Sequence, residues 1–194
     1  MPKIGMEPIR KAALVNATIV EIGRAGNLDV TVSQIAKRAG MSSALAHHYF
    51  GSKEDMFLAA MRHVLAIYGA EVRGALSVAN GHKGRLQALV QASFSAASFR
   101  REVVGAWLTF YVMAQTLPEA KRLLNIYQGR IRTNLCHDLR PLVGARAPRV
   151  ADALAALIDG VYLRQIVQTS PDARKQAISL VLSVLDNEIQ QGPV

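Results

Sequence analysis

The sequence predicts an all-α protein of about nine helices. Three observations carry that prediction. Apolar residues recur at three- and four-residue spacing along most of the chain, and no run alternates apolar with polar as a half-buried strand would. Alanine and leucine recur throughout while aromatics make up only 6% of residues, a mix suited to helix. Prolines fall at the joints between periodic segments, where helices start or have just ended. At 194 residues, 51% hydrophobic and 19% charged, the chain has globular composition and length enough for a sizeable core.

The elements follow in order. Residues 7–25 space Ile9, Leu14, Ala17, Ile19 and Ile22 along one helix, with Gly26 as its stop signal. Thr31-Val32-Ser33-Gln34 reads as a capping box opening a short second helix that ends at Gly40. Ser42 or Ser43 caps a third helix to about Phe50. Ser52-Lys53-Glu54-Asp55 is a weaker capping box for a long fourth helix through Met56, Met61, Val64 and Leu65. After Asn80-Gly81, helical patterns cover about 83–99, 102–116, 118–140, 149–168 and 172–190, with Pro118, Pro141, Pro148 and Pro171 at the joints. No internal repeat or low-complexity segment interrupts them.

Formal net charge is +9, which suits an anionic partner. Residues 1–62 hold +3 of it and residues 63–194 hold +6, so the charge permits DNA binding without locating it. Cys136 is the only cysteine, which excludes an intrachain disulfide and fits a reducing compartment. No stretch approaches the roughly 18 apolar residues of a spanning helix. The N-terminus, with Lys3, Arg10 and Lys11 interleaved among apolar residues, reads as an amphipathic helix rather than a signal peptide. The expected location is cytoplasmic, with no membrane partner.

Residues 31–50 have the form of a helix-turn-helix: a capped short helix, a turn centred on Gly40, and a second short helix. Ala36 is small where two helices would cross, and Gly40 can take the positive φ of the turn. On the third helix Ser42, Ala46, Tyr49 and Phe50 share a face toward the first helix. Ala44, Leu45, His47 and His48 point away, so the first turn of this helix can meet base edges in a major groove. Competing chemistries fail on spacing. Adjacent His47 and His48 diverge by about 100° on a helix and cannot chelate one metal as an i, i+4 pair could. Gly40-Met41-Ser42-Ser43-Ala44 lacks the strand and the final glycine of a nucleophile elbow. With no phosphate-binding glycine loop and no CxxC pair, no catalytic residue, cofactor or metal ligand is expected, and an enzyme finds no support. A purely architectural DNA binder would need less chain than the long apolar second half supplies.

Thr31…Ile35-Ala36…Ala39-Gly40-Met41-Ser42…His48-Tyr49-Phe50…Ser52-Lys53 resembles the signature of the TetR family of bacterial one-component repressors. Two positions depart from it: the family's glycine early in the recognition helix is Ala44, and its phosphate-touching tyrosine is His47. The resemblance implies a DNA-binding domain at residues 1–51, a ligand-binding and dimerising domain at residues 52–194 joined to it by helix 4, and no enzymatic activity. It implies DNA contacts from Thr31, Ser33, Ser43, Ala44, Leu45, His47, His48, Tyr49 and Lys53, of which Ser43, Ala44 and Leu45 approach bases and Ser33, His47, Tyr49 and Lys53 position phosphates. A homodimer on a palindromic operator is expected. The apolar stripes Val150, Leu154, Leu157, Ile158, Val161 and Ile178, Val181, Leu182, Leu185 are candidates for its interface.

Met1-Pro2-Lys3…Gly5-Met6…Ile9-Arg10, Met61-Arg62, Ala106-Trp107-Leu108 with Phe110, and Leu157-Ile158-Asp159-Gly160 with Leu163-Arg164 look like a choline-responsive member of that family. That likeness implies a repressor of choline uptake and glycine betaine synthesis genes, released by choline or betaine aldehyde. The alternative is another small cationic or apolar effector. A quaternary ammonium is held by aromatic faces and a carboxylate. The expected effector residues are Trp107, Phe110, Tyr111, Tyr127, Asp159 and Tyr162.

Overall fold

Nine α-helices and no strand make up the described residues, 5–165 and 170–193, of the computed structural model. They are α1 (Met6–Ala25), α2 (Val32–Arg38), α3 (Ser43–Phe50), α4 (Lys53–Val78), α5 (Gly81–Ser93), α6 (Arg101–Met113), α7 (Pro118–Val143), α8 (Ala147–Gln165) and α9 (Ala173–Gln190), with a short 3-10 turn at Gly144–Arg146. Residues 166–168 of the expected eighth helix, and Met1-Pro2-Lys3 of the resemblance, lie outside the described residues.

The fourth, fifth and seventh helices differ from the sequence reading, and the sixth stops at Met113 rather than at about 116. The fourth helix runs on to Val78. The expected helix at 83–99 stops at Ser93, because serine side chains divert the backbone: the Ser98 amide donates to Ser95 Oγ (3.1 Å), and Ser95 Oγ donates to Glu71 Oε2 (2.7 Å). Such local bonds compete with the helical ladder. Pro141 lies inside α7 rather than beyond its end. Its ring removes the amide that would reach residue 137, and the helix stops soon after, at Val143.

The helices pack into two units. The first comprises residues up to Leu65 together with 101–121. Here α6 packs along α1, and α1, α2 and α3 form the N-terminal corner. Its core includes Ile19 of α1, Ala60 of α4, and Val103 and Ala106 of α6. The second unit holds residues 66–100 and 122–194, with α9 packed on α8 and α5. Leu86 and Leu89 of α5, Leu135 and Leu139 of α7, Leu154 and Ile158 of α8, and Val181 and Leu185 of α9 are buried there. The expected boundary at residues 51/52 falls inside the first packing unit, and α4 contributes residues to both units.

Among the described residues no helix is long and apolar enough to cross a membrane.

Candidate functional site

The corner at α2 and α3 is built from short-range hydrogen bonds. The Gln34 amide donates to Thr31 Oγ1 (3.2 Å) and the Thr31 amide donates to Gln34 Oε1 (2.7 Å), a complete capping box. At the far end Gly40 takes φ +68°. The Gly40 amide donates to Lys37 O (3.1 Å) and that of Met41 to Ala36 O (2.9 Å), the paired bonds of a Schellman motif. A Cβ is disfavoured at that φ, so glycine sets the turn. Ser42, rather than Ser43, caps α3: its Oγ accepts from the Leu45 amide (3.2 Å). Ser52 caps α4 by half a box. Its Oγ accepts from the Asp55 amide (3.0 Å) and donates to Asp55 Oδ2 (2.7 Å), while its own amide goes to Phe50 O (3.0 Å).

Burial sorts the corner's side chains. Ile35, Ala36 and Ala46 are buried and lock α2 and α3 onto the rest of the unit. Thr31, Ser33, Ala44, His47 and His48 are exposed, and Ser43, Leu45, Tyr49 and Lys53 are half-buried. His47 Nδ1 lies 2.7 Å from Gly51 O. A carbonyl only accepts, so Nδ1 carries the proton, and Nε2 donates only when the ring is doubly protonated. The Lys53 ammonium donates to Leu28 O (2.7 Å), tying the start of α4 to the loop after α1. Arg38 is paired with Glu21, and Lys11 Nζ stands 5.8 Å from the Tyr49 ring centroid.

The six expected effector residues fall in both units. In the first, Trp107 on α6 has its ring 5.6 Å from Phe110 and 5.7 Å from Tyr111; Trp107 and Phe110 are buried. In the second unit several aromatic rings lie near two carboxylates, Asp159 and Glu71. Tyr127 Oη donates to Asp159 Oδ1 (3.2 Å), and the Tyr127 ring meets Tyr68 edge-on at 5.4 Å. Ser93 Oγ donates to Leu89 O (2.9 Å), so its contact with Tyr68 Oη (3.2 Å) is one in which the phenol donates. Tyr162 Oη donates to Ser93 O, and its ring stacks on Phe94 at 5.4 Å and leans on Phe99 at 5.8 Å. Glu71 Oε2 accepts from Ser95 Oγ and Ser98 Oγ.

Burial pushes the Tyr68 phenol up to about 12. Burial, then the neighbouring Tyr68, Asp159 and Glu71, pushes Tyr162 up as well. Both rings are therefore neutral donors near neutral pH. Tyr68, Glu71, Phe94 and Phe99 were not foreseen from the sequence. Tyr68 lies past the last residue that justified the fourth helix, and the two phenylalanines sat inside an expected helix that the structure ends at Ser93.

Residues 14–60 match the family model described as "Bacterial regulatory proteins, tetR family", and residues 82–190 match that of "BetI-type transcriptional repressor, C-terminal". The chain is 48% identical over 194 residues to an HTH-type transcriptional regulator BetI from Brucella suis biovar 1 (strain 1330), covering all of this chain and 98% of that one. It is 45% identical over 194 residues to the BetI of Agrobacterium fabrum (strain C58), covering all of this chain and 94% of the other. Among solved structures, a transcriptional regulator from Pseudomonas aeruginosa PAO1 superposes with a TM-score of 0.78 at 27% identity, covering 94% of this chain and 91% of its own. A regulator from Saccharomonospora viridis in complex with choline superposes with a TM-score of 0.80 at 21% identity, covering 91% of this chain and 95% of its own. The capped corner and helical body, matched over the full length, make this chain a DNA-binding transcriptional repressor of the TetR family, of the BetI type, and not an enzyme.

Proposed function

We propose that this repressor controls choline uptake and glycine betaine synthesis genes and is released from a palindromic operator by choline or betaine aldehyde. The observation that carries the reading is the cluster of Tyr68, Tyr127, Tyr162, Phe94 and Phe99 with Asp159 and Glu71 in one packing unit. A trimethylammonium group donates no strong hydrogen bond and binds through aromatic faces and carboxylate charge. The choline bound by the Saccharomonospora viridis regulator and the BetI names of relatives sharing 45–48% identity support the same reading. A mobility-shift assay on the protein's own upstream DNA, with and without choline, tests it. A repressor that binds this DNA and ignores choline and betaine aldehyde would respond instead to a different small cation or apolar effector.

At the DNA, Ser43, Ala44 and Leu45 approach bases, while Thr31, Ser33, His47, His48, Tyr49 and Lys53 contact or position the backbone. Residues 1–51 form the DNA-binding part and residues 52–194 the effector and dimer part, with α4 as the lever between them. Lys53 has three donors and uses one on Leu28 O, leaving others for a phosphate. Lys53→Ala is expected to weaken binding to all DNA sequences alike and to cut the slope of log K against log salt by about one. Fluorescence anisotropy across a salt series checks it; an unchanged slope removes Lys53 from the contact set.

The homodimer forms through α8 and α9. Val150, Leu154, Ile158, Val161, Val181 and Leu185 are buried within a single chain. Leu157, Ile178 and Leu182 are only half-buried, and Leu163 and Leu180 are exposed. Ile178 and Leu182 line an open groove along α9, where a second copy would cover them. Leu182→Arg is expected to give a monomer, or a chain that no longer folds. Sedimentation of wild type as a folded monomer at micromolar concentration would sink this interface.

A further inference from the structure

We propose that His82, His137 and Asp138 form a binding site for a divalent transition-metal ion of the zinc class, joining the first turn of α5 to the C-terminal part of α7. Asp138 Oδ1 lies 2.9 Å from His82 Nδ1 and 3.1 Å from His137 Nδ1, and one donor atom from each of the three residues lies within 4.8 Å of the others. Two ligand atoms held about 2.0–2.1 Å from an ion, at angles between about 90° and 109°, stand roughly 2.9–3.3 Å apart. Neighbours on one helix diverge by about 100° at Cβ, but the longer side chains of His137 and Asp138 bend toward each other, so both nitrogens hold the spacing from the carboxylate oxygen that shared coordination requires.

A second observation points the same way. Arg85 Nε also donates to Asp138 Oδ1 (3.0 Å), so three nitrogens converge on one carboxylate oxygen. One such oxygen offers about two lone-pair directions. An ion between the histidines and Oδ1 relieves that crowding. Each imidazole then presents a lone pair in place of a proton, and Arg85 keeps Oδ2, to which it already donates at 3.1 Å. Arg85 also donates through Nη1 to Leu76 O (2.9 Å), which fixes the guanidinium and, through it, the carboxylate plane. Partners of this kind orient a metal ligand from behind.

Asp138 is 2% exposed at its side chain, whereas His82 and His137 are 45% and 66% exposed, so the anion is prearranged and the ion reaches it from solvent. Two imidazoles and one carboxylate favour zinc, nickel or copper over magnesium or calcium. Three protein ligands leave a coordination position for water. Because the Arg85 guanidinium shares the carboxylate, binding is expected to be reversible and weaker than in a closed structural zinc site.

The test uses the untagged full chain, stripped with a chelator and titrated with Co2+. The visible d–d absorption reports inner-sphere coordination, and Zn2+ competition reports affinity. Wild type is expected to give one equivalent with a d–d band and a higher melting temperature in Zn2+. His82→Gln and His137→Gln, at exposed positions that leave the fold intact by circular dichroism, should each lose about tenfold or more in Co2+ affinity. The double variant should lose both the band and the Zn2+ stabilisation, while a His47→Gln/His48→Gln control retains them. A wild type without a d–d band, or a band that survives in the His82→Gln/His137→Gln double variant, overturns the site.

Discussion

Gly105→Ala is expected to destabilise the repressor by about 3 kcal/mol or more, although it adds one methyl group in the middle of a helix. A Cβ built at Gly105 would stand 2.4 Å from Gly23 O and 3.0 Å from Gly23 Cα. A Cβ at Gly23 would stand 1.9 Å from Glu102 O. Every atom in the way is backbone, so no side chain can swing aside and α6 must move off α1. That movement opens the core of Ile19, Ala60, Val103 and Ala106. Intrinsic propensity alone points the other way, since alanine is favoured over glycine by about 1 kcal/mol inside a helix. Gly129→Ala isolates that opposite term. Gly129 is exposed in α7, with nothing within 4 Å of an added Cβ, and its replacement should stabilise by roughly 0.5–1 kcal/mol. The two variants should therefore shift the urea midpoint in opposite directions. A Gly105→Ala variant as stable as Gly129→Ala would mean that the close crossing of α1 and α6 relaxes at no cost.

Asp159→Asn is expected to lower choline affinity by roughly 10–100-fold, the range for losing the charge of a partly buried carboxylate in contact with its partner. Operator binding without choline should be unchanged, because Asp159 lies on α8, far in sequence from the corner at residues 31–50. Tyr127→Phe keeps the ring and removes the hydroxyl that donates to Asp159, so its effect should be smaller. An effector shifts the repressor only through its differential affinity for the DNA-free form, and such coupling is typically ~1–3 kcal/mol, or roughly 5–150-fold in operator affinity. Calorimetry gives choline affinity and mobility shift gives release. Trp107→Ala is the companion measurement, because Trp107, Phe110 and Tyr111 cluster in the other packing unit. Lost response in Trp107→Ala with normal response in Asp159→Asn would assign the effector to the aromatic group on α6.

The all-α architecture and the capped helix-turn-helix corner were legible in the sequence because their causes are local. A capping box joins residues three apart, as Thr31 and Gln34 do. Gly40 reveals a left-handed turn because other side chains are disfavoured there. Periodicity reports which face of a helix is buried, as at Leu14 and Ile22. Local rules mislead where they compete: serine side chains stop α5 at Ser93, and α7 carries Pro141 inside its final turn.

Tertiary structure alone decided which distant residues meet. Tyr68, Phe94 and Phe99 joined Tyr127, Asp159 and Tyr162 only because α4, α5 and the turn after α5 fold beside α7 and α8 in one unit. Gly23 and Gly105 have no shared sequence signature, yet their missing Cβ atoms set how closely α1 and α6 approach. His82 and Asp138 are 56 positions apart, so no motif spacing could pair them. Short-range hydrogen bonding and periodicity depend on neighbours within about a turn, and the sequence states those neighbours directly. The choice among long-range pairings is made by the packing of whole helices, which no window of sequence contains.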